Sequence, residues 1–486
     1  MTVPPHALDT ITDTRSLTPS KDDKRFLVAR WMIAALAAAN AILLLTDHQP
    51  VDALGLSAAS ATVWICAIPL WRFVTARRRT IPFMVFCGVL YASYYALPIF
   101  SSKPLFRQSP RVPPWDSVET ALELSLLGAV ALMAGTYGVR SLVHKIPQVR
   151  RDIDFKRAVP ILIFVAALAP GLRLISGGDT SSRFAQPLLA VEGCGEIALA
   201  GLLVAWLRGY LRWWQKIYFI ALIAIIIALG LVTGMLANIA FPIAGLVFVY
   251  CWERRRIPWG ALVAGIILLA PFQATKYKYR KIYWTESTQG LSTTTAGLLV
   301  GFLSMTVNSI ARGELSSDEI ADLNEARTNS LATFAIVVND TPRIVPYWNG
   351  YTYAELPWKF VPRFVVPNKP APKIGVEFPF RYQIISYESS TTSYNLTQLI
   401  ELYINFGPAA VGIGMLFIGL IYAMLDHAFS ASSGGALMGC VTFSGLMNIE
   451  SNFSGVFGGL PFLLLVYYVF IRILPETEPP PVAAAA

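Results

Sequence analysis

Residues 217–233, with the sequence IYFIALIAIIIALGLVT, form an almost uninterrupted apolar run that contains no charged side chain. A helix needs about 20 residues to cross roughly 30 Å of hydrocarbon, so a run of this length is typical of a membrane-spanning helix. Comparable runs recur along most of the chain. The pattern predicts an all-α polytopic membrane protein with about twelve transmembrane helices.

The predicted spans leave one long gap between the ninth and the tenth. They lie near 26–45, 51–71, 81–100, 117–139, 158–175, 188–207, 217–233, 235–252, 257–275, 401–425, 434–449 and 456–474. We therefore divide the chain into a flexible tail (1–25), spans one to nine (26–275), a large extracytoplasmic loop (276–400), spans ten to twelve (401–474) and a disordered tail (475–486).

The overall composition agrees with a membrane protein. The chain has 486 residues, of which 55% are hydrophobic and 14% are charged, and its mean hydropathy is +0.53. Average soluble domains have roughly 45–50% apolar and about 25% charged residues, so a soluble globular enzyme and a disordered or fibrous protein are both excluded. The net charge of +9 is better explained by membrane orientation than by nucleic-acid binding.

Basic side chains concentrate in alternate connections between the predicted spans. These connections hold Arg72, Arg77, Arg78, Arg79, Arg140, Lys145, Arg150, Arg151, Lys156, Arg157, Arg208, Arg212, Lys216, Arg254, Arg255 and Arg256. By the positive-inside rule, such connections face the cytoplasm. An even number of spans then places both termini in the cytoplasm and residues 276–400 outside it.

The sequence predicts no metal site and no cofactor. The five cysteines lie in apolar stretches without a CxxC or a His/Cys cluster. No phosphate-binding GxxxxGK[ST], no dinucleotide-binding GxGxxG after a strand and no EF-hand is present. A reaction at this protein must therefore draw on an already activated substrate or on an ion gradient.

The long loop at 276–400 is polar but rich in aromatic residues, which argues against disorder. Residues 294–311 predict a short interfacial or re-entrant helix, and if they spanned the membrane instead, the orientation of everything after them would reverse. Residues 317–338 predict an amphipathic helix. From 359 to 381 the loop carries five basic residues and one acidic residue.

This basic character outside the cytoplasm runs against the positive-inside rule and needs a local reason. Arg and Lys side chains suit phosphate oxygens, so we expect them to bind a pyrophosphate at the membrane surface. The candidate residues are Arg363, Lys369, Lys373, Arg381, Arg343, Lys276 and Arg280. The alternatives are contacts with anionic lipid headgroups, ion pairs with the loop's own acids and, for Lys276 and Arg280, snorkelling at the interface.

Two motifs in the second half of the chain resemble a known family. Pro362-Arg363 with Pro367, Lys369 and Pro370 is similar to the P-R-x-x-x-P-x-K-P segment of Wzy-type O-antigen polymerases. Residues 401–407, ELYINFG, resemble the E-x-Y-x-N-F-G segment at which that family enters its next span. The ten to fourteen spans and one large periplasmic loop of the family agree with the predicted architecture.

The resemblance implies a metal-independent glycosyltransferase of the bacterial inner membrane. Such an enzyme polymerises oligosaccharide repeat units linked to undecaprenyl pyrophosphate into surface polysaccharide. Its partners would be the lipid-linked units, membrane lipids, a chain-length regulator and a flippase. A carboxylate near the acceptor hydroxyl would be the general base. Glu401 is the first candidate, with Glu377 and Glu388 as second candidates.

Two other functions fit the predicted topology less well. An O-antigen ligase would use a histidine in the outer loop, but the four histidines all lie outside residues 276–400. A transporter or flippase for lipid-linked sugars would be expected to show related halves, and the first half has no counterpart of the long loop. A non-catalytic membrane scaffold is a third alternative.

Overall fold

The computed structural model describes residues 21–76, 79–107, 109, 111–176, 184–283, 294–312, 329–366, 369, 374–384 and 394–478. Within these ranges every regular element is helical, which confirms the predicted all-α class. The first ten helices are α1 (Lys21–Leu45), α2 (Ala53–Thr75), α3 (Phe83–Tyr95), α4 (Trp115–Gly138), α5 (Arg140–Val143), α6 (Phe155–Ser176), α7 (Ala185–Leu207), α8 (Trp213–Val232), α9 (Ala237–Arg254) and α10 (Trp259–Tyr283). The remaining helices are α11 (Thr295–Ala311), α12 (Ser330–Asp340), α13 (Leu356–Phe360), α14 (Ile374–Arg381), α15 (Gln398–Phe406), α16 (Pro408–Phe429), α17 (Ser433–Leu446), α18 (Phe453–Phe457) and α19 (Leu460–Ile473).

Eight helical segments among the described residues are long and apolar enough to cross a membrane. They are Leu27–Leu45, Ala53–Thr75, Trp115–Gly138, Phe155–Leu172, Ala185–Leu207, Trp213–Val232, Pro408–Phe429 and Phe453–Ile473. The other four predicted spans fall on α3, α9, α10 and α17, which are helical but shorter or less apolar. The twelve-span count therefore stays a prediction.

The predicted tenth span is interrupted at its beginning. Instead of one helix over 401–425, the chain forms the short α15 and then α16, with Gly407 between them at a φ of 80°. A left-handed backbone of this kind favours glycine, and Pro408 then starts α16 at a position where its missing N–H costs nothing. Residues 401–406 consequently lie outside the candidate membrane-spanning segment.

Part of the predicted outer loop is packed into the interior. The helix expected over 317–338 is described as α12 from Ser330 onward, and residues 313–328 lie outside the described ranges. α12 is not exposed on one side, because all seven consecutive residues from Leu331 to Val337 are buried. The helix predicted over 294–311 is present as α11.

The basic connections meet at one end of the helices, which we call the arginine end. Glu253, in the last turn of α9, forms ion pairs with Arg79 at 3.3 Å and with Arg208 at 2.9 Å, so the end of α9 is joined to two connections there. The segment after α19 also pairs at this end, where Thr477 donates its N–H to the Asp152 carbonyl at 2.9 Å. The opposite end holds α15, and we call it the Glu401 end.

Candidate functional site

α15 is a short helix whose start is fixed by side-chain hydrogen bonds. Thr397 caps it by accepting the Ile400 N–H, and the Tyr95 hydroxyl donates to Thr397 at 2.6 Å. Apolar side chains recur at helical spacing along α15, so Leu399, Ile400 and Ile404 are buried in the core. Glu401 lies on the same helix and is also fully buried, so a carboxylate has been carried into the packed interior.

The end of α15 is held by Asn405, which is fully buried. Its Nδ2 donates to the Glu401 carbonyl at 2.7 Å and to the Thr352 hydroxyl at 2.9 Å. Its Oδ1 accepts the Gly350 N–H at 2.9 Å. The helix is thereby locked to the turn at Tyr351–Glu355, which is the next wall of the site.

The two oxygens of the Glu401 carboxylate differ in their hydrogen bonding. Oε2 accepts the Phe453 backbone N–H at 2.5 Å. Oε1 is buried and has no hydrogen-bond partner among the described residues. A buried acceptor left in this state costs free energy, so the arrangement favours either protonation of the carboxyl group or a bound donor.

Burial raises the pKa of Glu401 to about 7, because the charged carboxylate loses its hydration. The Phe453 N–H, the nearby Thr352 hydroxyl and the charge of Lys359 act in the opposite direction, whereas Glu355 adds to the rise. A carboxyl group with a pKa near the working pH is suited to exchanging a proton with a substrate.

Tyr353 packs beside this carboxyl group. Its ring stacks on Phe406 and meets Phe453 edge-on, with centroid distances of 6.0 Å in both cases. Its hydroxyl is buried and lacks a hydrogen-bond partner among the described residues. Burial and the charge of Glu401 raise the pKa of Tyr353. The site thus contains a phenol O–H donor close to an orphan carboxylate oxygen.

A cavity of about 380 Å³ lies beside Glu355 and Ser454, and neither Glu401 nor Tyr353 lines it. Its polar lining comes from three cationic side chains, one carboxylate, one amide and one hydroxyl, and its apolar lining from α7, α19 and Trp358. The lining residues used below are Gln186, Leu189, Glu355, Trp358, Lys359, Arg363, Lys369, Ser454, Phe462 and Leu463. We call it the Arg363 cavity.

The cations of the Arg363 cavity are held mostly by backbone carbonyls. Lys369 Nζ donates to the carbonyls of Trp358 at 3.1 Å and Val361 at 2.9 Å, and Arg363 Nη1 donates to the Lys369 carbonyl at 3.4 Å. Burial, together with the charges of Arg363 and Lys359, lowers the pKa of Lys369. Cations crowded in this way are stabilised by an anionic ligand.

Lys359 connects the cavity to Glu401. Its Nζ lies 3.5 Å from a carboxylate oxygen of Glu355 and donates to Ser454 Oγ at 3.2 Å. Ser454 directly follows Phe453, whose N–H is bonded to Glu401. The start of α18 therefore forms the partition between the cation-lined cavity on one side and the buried carboxyl group on the other.

The structure places the other predicted residues of the loop away from this cavity. Arg381 forms an ion pair with Glu377 four residues earlier, and its guanidinium stacks on the Trp348 ring at 4.4 Å. Arg343 is exposed and donates to the carbonyl and side chain of Asn339. None of these residues lines the Arg363 cavity.

Lys276 and Arg280 belong to a different part of the molecule. Both lie on α10, beside a small hydrophobic cluster formed by Leu231, Ile239, Tyr279 and Phe302. Arg280 Nε donates to the Gly234 carbonyl at 3.0 Å in the turn between α8 and α9. Neither residue lines the Arg363 cavity, and the candidates Lys373 and Glu388 lie outside the described residues.

Sequence reasoning missed several residues of the site. Glu355 and Lys359 stand four residues apart, a spacing that signals a helical ion pair, but neither was singled out as part of a site. Glu450 is a second, partly buried acid at the same end. It accepts hydrogen bonds from Tyr94 and, at 3.2 Å, from Asn395, and burial raises its pKa to about 7. Its signal was an acid directly before Ser451 and Asn452, between two apolar runs.

The part of the chain that the structure describes holds no group of three or more His, Cys, Asp or Glu side chains suited to a metal ion. The fold and the site thus define an all-helical protein with several candidate membrane-spanning helices and a cationic cavity beside a buried carboxyl group. The chain belongs to the family described as domain of unknown function (DUF8712), which matches residues 212–474. No curated protein and no solved structure matches the chain.

Proposed function

We propose that this protein is an integral membrane glycosyltransferase that polymerises oligosaccharide units linked to undecaprenyl pyrophosphate. The observation that carries the proposal is the adjacency of the Arg363 cavity and the buried Glu401 carboxyl group. The Arg363 cavity supplies positive charge for a pyrophosphate, and Glu401 supplies a group that accepts a proton. The resemblance of residues 361–370 and 401–407 to Wzy-type polymerases gives the same assignment.

The side chains that line the Arg363 cavity suit a lipid-linked substrate. Arg363, Lys369 and Lys359 provide positive charge for a pyrophosphate, as a metal ion does in other transferases. Leu189 on α7 and Leu463 on α19 form an apolar wall on two candidate membrane-spanning helices. A ligand with an anionic headgroup and a polyprenyl chain matches both walls.

The proposed reaction moves a glycosyl chain between two oxygen atoms. Because Glu401 is buried behind the start of α18, the reaction requires this segment to open toward the Arg363 cavity. The acceptor sugar hydroxyl then gives its proton to Oε1 of Glu401 while its oxygen bonds to the anomeric carbon of the donor. The bond between that carbon and the pyrophosphate oxygen breaks, and the electron pair leaves with the lipid pyrophosphate. The cations of the Arg363 cavity stabilise the charge on this leaving group.

We also propose the predicted topology, with twelve spans and the Glu401 end outside the cytoplasm of a bacterium. An introduced cysteine can test the orientation directly, because all five native cysteines are buried. Ala354→Cys, at an exposed position of the Glu401 end, should react with an impermeant thiol reagent in intact spheroplasts. Ser141→Cys, exposed at the arginine end, should react only after lysis, and the reverse pattern would overturn the orientation.

The function is tested by Arg363→Lys, which keeps the charge but loses the planar fork of the guanidinium. With purified lipid-linked units, we expect chain extension to fall at least tenfold, roughly the effect of one lost charge-assisted contact. Arg343→Lys is the matched control and should extend chains normally. Full polymer length with Arg363→Lys at normal protein levels would remove Arg363 from the site.

Glycan analysis of a deletion strain separates this function from its rivals. Loss of a polymerase leaves single repeat units on the lipid carrier or on the surface. Loss of a ligase leaves long polymer on the carrier, and loss of a flippase leaves units on the cytoplasmic side. Only the first pattern agrees with the proposal.

A further inference from the structure

The arginine end contains two cavities that the proposed reaction does not use. The first, about 770 Å³, is walled mainly by apolar side chains of α2, α3, α4 and α16, among them Ile68, Phe73, Phe83 and Tyr422. The second, about 830 Å³, is lined by charged side chains. Both cavities are lined by Thr80, Asp426 and Ser430, so they lie side by side, and together they are called the joined space.

This space lies far from the Arg363 cavity. Gln186, at the start of α7, lines the Arg363 cavity, whereas Arg208, directly after the end of α7, lines the second cavity of the arginine end. At about 1.5 Å of rise per residue, the 22 residues between them separate the two sites by about 33 Å. A single ligand that filled both sites would have to cross the whole layer of helices, so the two sites are distinct.

The charged walls of the joined space have more donors than acceptors. The Arg72 guanidinium lies over the Tyr137 ring at 4.3 Å, and Arg150 donates to Gln148 at 3.3 Å; neither forms an ion pair with a residue that the structure describes. Arg79 and Arg208 share the single carboxylate of Glu253.

A further donor is buried in the same wall. Trp252 is almost fully buried and lines the second cavity, and its Nε1–H has no partner within the described part of the chain. An indole N–H can only donate a hydrogen bond, so a ligand in this cavity would have to supply the acceptor.

Among the lining residues of this space, two acids, Asp152 and Asp426, stand against four arginines. Asp152 Oδ1 also accepts the Ser433 N–H at 2.9 Å. The ligand must therefore bring oxygen acceptors and negative charge to the arginines, and it must cover an apolar wall next to them. Phosphate oxygens satisfy the first need and acyl chains the second.

We propose that the joined cavities of the arginine end bind an anionic phospholipid. Its phosphate lies against Arg79, Arg150 and Arg208, and its acyl chains follow the apolar wall of the first cavity. This is the end that the positive-inside rule assigns to the cytoplasmic leaflet, where anionic lipids attract basic side chains. The proposal does not depend on the reaction at Glu401.

The test is equilibrium binding of fluorescent phosphatidylglycerol and phosphatidylcholine to the purified full-length protein in detergent. We expect phosphatidylglycerol to bind at least tenfold more tightly than phosphatidylcholine. Arg79→Gln combined with Arg150→Gln should weaken phosphatidylglycerol binding about thirtyfold, since both line the second cavity and each basic residue near a headgroup contributes about tenfold or somewhat less. Arg256→Gln is the matched control, because Arg256 is exposed and lines neither cavity.

Three results would overturn the proposal: equal affinity for the two lipids, a double variant that binds like Arg256→Gln, or displacement of phosphatidylglycerol by inorganic phosphate at equal concentration. The last result would show that the space holds a free phosphate without acyl chains. If the double variant does not fold, Trp252→Phe decides, because it keeps an aromatic ring under Arg79 and removes the N–H together with part of the indole ring. It should weaken phosphatidylglycerol binding about threefold to tenfold, and unchanged binding would contradict the proposal.

Discussion

Glu401 and Glu377 lie on successive helices at the same end of the molecule, but their surroundings are opposite. Glu377 on α14 is partly exposed and forms an ion pair with Arg381. Glu401 on α15 is fully buried, has no ion pair with a described residue, and keeps one carboxylate oxygen without a hydrogen-bond partner among them. A carboxylate committed to an arginine helps to fix a surface, whereas a buried one without a cation in contact is suited to proton exchange.

The largest test of this difference is Glu401→Gln. Glutamine keeps the shape of the side chain and its hydrogen bond to Phe453 N–H, but it cannot accept the acceptor's proton. Because a general base contributes about 10²–10⁴-fold, chain extension on purified lipid-linked units should fall by that factor. Glu377→Gln should stay within about threefold of the unmodified protein. If Glu401→Gln also stays within threefold, the difference between the two carboxylates carries no catalytic meaning.

A pH series should separate the two carboxylates next. The pKa of Glu401 in the folded protein is about 7, against an ordinary value of 4.5, so between these values the folded state binds more protons than the unfolded state. Stability must therefore fall as pH rises through this window, and chain extension must rise as the base form appears.

The measurements are thermal unfolding and turnover between pH 5 and pH 8. Glu401→Gln should flatten part of the stability slope, and Glu450, whose pKa is also raised to about 7 by burial, should supply the rest. Glu377→Gln should leave both profiles unchanged. A slope that survives in the Glu401→Gln, Glu450→Gln double variant would contradict this account.

Gly407→Ala disturbs the Glu401 region without touching α14. Gly407 has a φ of 80°, and a Cβ there would lie 3.0 Å from the Tyr347 hydroxyl. The strain should destabilise the protein by about 1–3 kcal/mol, measured as a lower midpoint of thermal unfolding. Gly412→Ala, inside α16 with only ordinary contacts to Leu127, is the control and should be neutral or slightly stabilising. Equal effects of the two substitutions would mean that the break before α16 needs no glycine.

The smallest expected effect belongs to the Glu377 ion pair itself. Because both partners are partly exposed, Glu377→Gln should change the free energy of unfolding by less than about 1 kcal/mol. High salt should reduce the difference further, since exposed charges are screened. A loss well above this value in a denaturant titration would show that the Glu377 region is as tightly coupled to the fold as the Glu401 region.

The sequence predicted the helical class, but not the form of the candidate site. Apolar runs follow directly from the cost of burying polar groups in hydrocarbon, so the helices were visible in the sequence. The break at Gly407 was also readable, because Gly-Pro is a strong turn signal. The partner of Glu401 was not, because Phe453 lies 52 residues away and is joined to it only by the packing of α18.

Local charge patterns did not show which basic residues lie together. Seven basic residues of the loop and its approaches were candidates in the sequence, and the structure places two of them, Arg363 and Lys369, in one cavity, while Lys373 lies outside the described residues. Arg381 does not line that cavity and instead pairs with Glu377, four residues earlier. The spacing alone suggested this ion pair. Lys359 also lines the cavity, where it forms an ion pair with Glu355 and a hydrogen bond to Ser454. The hydrogen bond to Ser454 depends on the fold, because the two residues are distant in the sequence.

The hydrogen bond from Phe453 to Glu401 also fixes an order of events during biosynthesis. Chains are made from the N-terminus, so Glu401 leaves the ribosome well before the residue that completes its surroundings. Lys359 likewise waits for Ser454, and the arginine end waits for Thr477. The surroundings of Glu401 are therefore completed only after the final helices have been synthesised and have packed against the rest of the chain.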